Sequence, residues 1–205
     1  MALEFVTQIL ILLMSVVVHE VCHGLAALYY GDHTAEYQGR LTLNPLKHLD
    51  PVGSILLPAL LFFTGSGVVF GWAKPVPYNP YNLEPGRWPE AAVALAGPAS
   101  NFIIAAFFAI LLRLGVAHNY SPAFLHVTAT IVLVNLLLMV FNLVPVPPLD
   151  GSRLLFAIFP EKLYRYRNFF ERYGFVLVIV FIFFLWQFVE PLVGTLFHIL
   201  TGLSQ

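Results

Sequence analysis

Residues 1–30 read MALEFVTQILILLMSVVVHEVCHGLAALYY. The run is mostly apolar up to Val18, meets His19-Glu20-Val21-Cys22-His23, and turns apolar again as far as Tyr30. A helix needs about 20 apolar residues to cross a bilayer core, so a first membrane span is predicted over about residues 3–30. No Lys or Arg precedes the run and no small-residue cleavage site follows it, so it reads as a retained span and not a signal peptide. An ionised side chain at mid-bilayer costs on the order of 2.5–3.5 kcal/mol. Glu20 between two imidazoles must therefore be offset, and a divalent metal is the simplest partner. Positions 19 and 23 are i and i+4 on one helix face, so both imidazoles can hold one ion. Glu20 lies beside that face, within reach of a water on the ion. The competing reading, a polar cluster that only packs helices, must explain three polar side chains in one turn.

The rest of the chain fits this start. Of its 205 residues 59% are hydrophobic and only 10% charged, against about 25% charged in soluble domains. The net charge of -1 carries no basic excess, so nucleic acid is not an expected partner. Cys22 is the single cysteine, has no internal disulfide partner, and is expected to pack. Further apolar stretches run over about 52–70, 89–114, 122–144 and 173–200. The first of these is broken by Pro58 and by Gly65-Ser66-Gly67. Residues 73–78, with Pro75 and Pro77, favour extended chain. The predicted fold class is an all-α polytopic membrane protein: one helical bundle over 1–205, with a re-entrant hairpin at about 52–70 and a short extended segment. Trp72, Trp88 and Trp186 are expected as interface anchors.

His19-Glu20-x-x-His23 is the H-E-x-x-H arrangement of zinc hydrolases, which needs a third protein ligand and an open position. The soluble extension would need Gly at 26 and His at 29, where Ala26 and Tyr29 stand. His33, Glu36, His48 and Asp50 read as solvated or capping loop residues. Asp150 is the better candidate. It follows Asn142-Leu-Val-Pro145-Val-Pro147-Pro148-Leu149, where prolines stop a helix at membrane depth, and such irregular backbone is tolerated only in protein or along a wet cavity. A His, His, Asp set suits zinc.

Three motifs in order carry a resemblance: His19-Glu20-x-x-His23, Gly97-Pro98-Ala99-Ser100-Asn101, and Asn142-x-x-Pro145-x-Pro147-Pro148-Leu149-Asp150-Gly151. Together they resemble the site-2 protease family of intramembrane zinc metalloproteases, peptidase M50. Gly39-Arg-Leu-Thr-Leu-Asn-Pro-Leu-Lys-His48-Leu-Asp-Pro51 and Gly71-Trp-Ala-Lys-Pro-Val-Pro77 are similar to its short prokaryotic branch, without PDZ or CBS domain. The resemblance implies one Zn2+ on His19, His23 and Asp150, Glu20 as general base, and membrane-spanning protein substrates.

To share a metal, the ends of spans one and four must lie at one membrane face, with an even number of crossings between them. Stretches 52–70, 89–114 and 122–144 would make three, so 52–70 is predicted not to cross. The positive charges then divide nine to one, with only Arg113 opposite; full crossing would divide them seven to three. By the positive-inside rule the N-terminus lies outside and the site near the cytoplasmic face of the cell membrane. Asn142 and Asn101 are expected to contact substrate or a developing oxyanion, the alternative being interhelical hydrogen bonds. Residues 73–78 are a candidate edge for an unwound substrate strand. The contrasting function is a membrane metal-binding or transport protein, which should carry polar ligands along a path through several spans.

Overall fold

A computed structural model describes residues 2–56, 60 and 74–203. Its helices are α1 (Ala2–Tyr29), the single turn α2 (Thr34–Tyr37), α3 (Trp88–Ala117), α4 (Pro122–Asn142), α5 (Asp150–Ile158) and α6 (Pro160–Thr201). Among the described residues, three helices are long and apolar enough to cross a membrane: Glu4–Tyr29, Trp88–Ala117 and Pro122–Asn142. Helices satisfy every backbone group internally, which lipid demands. The protein is an all-α, multi-pass membrane protein. Stretch 173–200 lies within α6. The proposed hairpin at about 52–70 falls largely outside the described residues; only the wide turn Pro51–Leu56 and residue 60 are described there.

Local chemistry sets the helix ends. Ser121 caps α4, its hydroxyl accepting from Phe124 N at 3.3 Å, with Pro122 at the first position. Gly202 ends α6 in the left-handed region, at φ +74°. The pair α3–α4 forms the centre of the bundle. Ala105 and Ala109 on α3 are small and fully buried, so α4 approaches closely through Val132, Leu136 and Val140, spaced four apart. Phe181, Val189, Val193 and Phe197 of α6 close this core.

Residues 74–79 run outside any helix, and Asn79 has extended dihedrals (φ −111°, ψ 109°). Their backbone is tied down from within the chain. Lys74 N donates to His48 O at 2.8 Å. The buried Arg40 donates through one Nη to Lys74 O (2.8 Å) and Pro75 O (3.1 Å). At the far end Asn79 N donates to Asp32 Oδ2 at 2.7 Å. Asp32 is itself fully buried and also accepts from Thr34 N and Asn82 Nδ2. Burial pushes its carboxyl up, but the hydrogen bonds from Thr34, Asn79 and Asn82 prevail and hold it below the usual carboxylate range.

Candidate metal centre and active site

Two helix stripes face each other. Ser15, His19 and His23 lie four apart on α1; Val93, Gly97 and Asn101 lie four apart on α3. His23 Nδ1–H donates to Val93 O at 2.6 Å, and His19 Nδ1–H to Asn101 Oδ1 at 2.6 Å. Position 19 thus meets 101 while 23 meets 93, so the two helices run antiparallel. A carbonyl can only accept, so His23 carries its proton on Nδ1 and presents a lone pair at Nε2.

Gly97 makes this approach possible. A Cβ there would fall 2.6 Å from His19 Nε2 and closer still to His23 Nε2. Gly151 does similar service for the third group. A Cβ there would run into Leu143 O and sit 2.6 Å from Val144 O, so the start of α5 can tuck against the end of α4. Asp150 opens α5 and is buried, as are both histidines. Its Oδ2 lies 3.2 Å from His19 Nε2 and 3.2 Å from His23 Nε2, and the two Nε2 atoms are 3.0 Å apart.

Three ligand-type atoms therefore converge on one point. Lone pairs facing each other at 3.0 Å repel unless a cation or proton lies between them. Zinc–nitrogen and zinc–oxygen bonds of about 2.0–2.2 Å at tetrahedral angles place ligand atoms roughly 3.3 Å apart. The observed edges of 3.0 to 3.2 Å come within a few tenths of an ångström of that. The donor set fits a zinc ion.

A cavity of about 320 Å³ opens beside these atoms. Glu20, Asn142, Tyr78 and Arg153 line it together with His19, His23 and Asp150. Glu20 Oε2 accepts from Val76 N at 2.8 Å. Pro75 and Pro77 carry no N–H, so Val76 has the one amide donor of that tripeptide, and it is spent on Glu20. This corrects the reading of 73–78 as an edge open to a substrate strand: its amide at 76 and its carbonyls at 74 and 75 are already used.

The two asparagines part company. Asn142 lines the cavity, its Nδ2 donating to Leu138 O at 2.9 Å. Asn101 does not; it is fully buried behind His19 and donates through Nδ2 to Asn135 Oδ1 at 2.9 Å. The expectation that Asn101 touches substrate or an oxyanion is thereby corrected. Asn135, Ser15, Arg40 and Val76 went unnoticed as participants in the sequence. The stripe 93/97/101, spaced by fours and opposite 15/19/23, was the signal that could have pointed to Asn101 as a histidine partner.

The model of peptidase family M50 matches residues 113–185. A Bacillus subtilis (strain 168) protein named "Putative zinc metalloprotease YwhC" is 38% identical over 194 residues, covering 90% of this chain and 80% of the relative. The chain belongs to peptidase family M50. Proteins named "Putative zinc metalloprotease Rip2" from Mycolicibacterium smegmatis and Mycobacterium tuberculosis are 33% and 32% identical. Those alignments cover 82% and 70% of this chain but only 63% and 53% of the relatives, so the chain spans about half to two thirds of their length. No solved structure matches. As an M50 peptidase with three membrane-length apolar helices among the described residues, the chain works in a lipid environment on protein substrates.

Proposed function

We propose that this M50 peptidase is an intramembrane zinc metalloprotease that hydrolyses peptide bonds of membrane-spanning substrates. His19, His23 and Asp150 hold the metal, and Glu20 is the general base. The observation that carries the reading is the convergence of His19 Nε2, His23 Nε2 and Asp150 Oδ2 within 3.2 Å of one another, beside a cavity that Glu20 also lines. Zinc, when bound, polarises a carbonyl and brings the pKa of water down to about 7.

The chain's own residues do the rest. The imidazoles are fixed at Nδ1 by Val93 O and Asn101 Oδ1, which aims both Nε2 lone pairs inward. Glu20 takes a proton from the attacking water and passes it to the leaving amine. The Val76 amide holds one Glu20 oxygen, which fixes the carboxylate at the cavity wall. Asn142 faces the same cavity and is assigned to the substrate backbone or the developing oxyanion.

The site is assigned to the cytoplasmic face of the cell membrane, with the N-terminus outside. Parity supports this. The C-terminal half of α1 meets the residues that follow α4, and the two crossings α3 and α4 lie between them. Residues 52–70 then add no crossing, which puts nine of ten Lys and Arg residues on one side. The decisive experiment is Glu20→Gln in the full chain, assayed on a membrane-spanning reporter. Cleavage is expected to vanish while zinc content is kept; retained cleavage removes Glu20 as base.

A further inference from the structure

A buried chain of hydrogen bonds starts at a backbone carbonyl and ends on a metal-facing imidazole. Asn135 of α4 is fully buried, and its Nδ2 donates to Ile131 O (2.9 Å) and to Ser15 Oγ of α1 (2.9 Å). Ile131 O can only accept, so the NH2 group of Asn135 is on that side and its Oδ1 is on the other. That Oδ1 accepts from Asn101 Nδ2 at 2.9 Å. Asn101 is therefore oriented with its own Oδ1 towards His19, where it meets Nδ1 at 2.6 Å. An acceptor at Nδ1 requires the proton there, so a neutral His19 has its lone pair at Nε2, the atom that faces His23 and Asp150.

We propose that Asn135 and Ser15 are positioning residues for His19: through Asn101 they select the ring tautomer that leaves Nε2 open to the metal. This rests on the reading of His19 as a metal ligand. Without Asn135, nothing on that side dictates which way the Asn101 amide faces. A flipped Asn101 would offer N–H to His19 Nδ1, draw the proton to Nε2 and block the ligand atom. His23 has no such weakness, because its Nδ1 partner is the Val93 carbonyl, which cannot flip. The rival role, simple interhelical adhesion, makes a different prediction, since adhesion alone leaves the tautomer and the metal untouched.

The test uses the full chain in detergent, stripped of metal and titrated with zinc against a chromophoric chelator. Ring 15N shifts of the metal-free protein report the His19 tautomer. Asn135→Leu is expected to weaken zinc binding by about 10–100-fold, the range for lost support behind a ligand, and to shift His19 from the Nδ1–H form towards Nε2–H. Ser15→Ala is expected to act in the same direction by less. Thr128→Val, which removes a buried α4 hydroxyl bonded to Phe124 O and remote from this relay, is expected to match wild type in both. A folded Asn135→Leu chain with wild-type zinc affinity and His19 still protonated at Nδ1 overturns the proposal. If that variant does not fold, the smaller Asn135→Ala, which removes the same acceptor for Asn101, decides by the same criterion. A wild-type chain that binds no zinc would sink the metal reading, and the tautomer comparison would then decide this proposal alone.

Discussion

Gly97→Ala is the smallest change that reaches the centre without touching a ligand. The new methyl carbon would lie 2.6 Å from both Nε2 and Cε1 of His19 and nearer to His23 Nε2. Non-bonded heavy atoms rest at about 3.5 Å or more, so both rings must give way, each by roughly 1 Å. Metal–ligand distances tolerate about 0.2 Å. The retreat exceeds that severalfold, so one histidine leaves the coordination sphere. Overpacking of this kind costs about 1–3 kcal/mol of stability, which a bundle of this size survives. The expected outcome is a folded chain whose zinc affinity falls by about 100-fold or more, beyond the ordinary effect of a lost supporting contact, with cleavage lost in step. Chelator competition measures the affinity and thermal unfolding checks the fold. Leu95→Ala, a lipid-facing change on the same helix at a residue 44% exposed, serves as control. A Gly97→Ala chain that binds zinc and cleaves as wild type does would refute the geometry of the two imidazoles.

Three more outcomes are expected. Val76→Pro deletes the amide that holds Glu20 and should lower kcat with zinc content unchanged, while Val76→Ala, which trims the buried side chain and keeps the amide, should not; an unaltered kcat in Val76→Pro would show that the contact does not position the base. Because the folded Asp32 carboxyl titrates below its unfolded value, its stabilisation is full above the unfolded pKa of about 3.9 and is lost as pH falls through the folded one. Asp32→Asn should therefore reduce thermal stability at neutral pH by about 1–3 kcal/mol, the cost of a broken buried network, and flatten the acid limb of the stability profile; an unchanged profile counts against it. Cysteines placed at 74 and 113 should react with an impermeant reagent from opposite sides of the membrane, and labelling from one side would refute the proposed topology.

Sequence reading went furthest where physics restricts the options most. An imidazole pair at i and i+4 with a carboxylate between them has few reasons to exist in an apolar span, so His19, Glu20 and His23 stood out. Asp150 stood out because prolines stopped an apolar helix just before it. Uncharged Asn135 and Ser15 gave no such signal. Small polar residues are common between membrane helices, and these two meet across 120 positions of sequence. For Asn101 the sequence leaves substrate contact and interhelical hydrogen bonding both open, and the structure shows the second, to His19 and Asn135, because motif membership does not reveal which way a side chain faces. The prolines on either side of Val76 mark amide donors missing at 75 and 77. The acceptor of the Val76 amide, Glu20, lies 56 residues earlier and could not be inferred from local spacing. Nothing in the local sequence marks Asp32 and Arg40, and His48 reads as a solvated or capping loop residue, yet all three are buried because they fasten the loops that hold residues 74–79 over the site.

The most direct measurement is the zinc bound per chain in purified wild type and in Asp150→Ala. One tightly held ion in the wild type and its loss, or at least a drop of several orders of magnitude in affinity, in the variant is the predicted result. An Asp150→Ala chain that keeps one zinc at wild-type affinity would contradict the three-ligand centre on which the proteolytic reading stands.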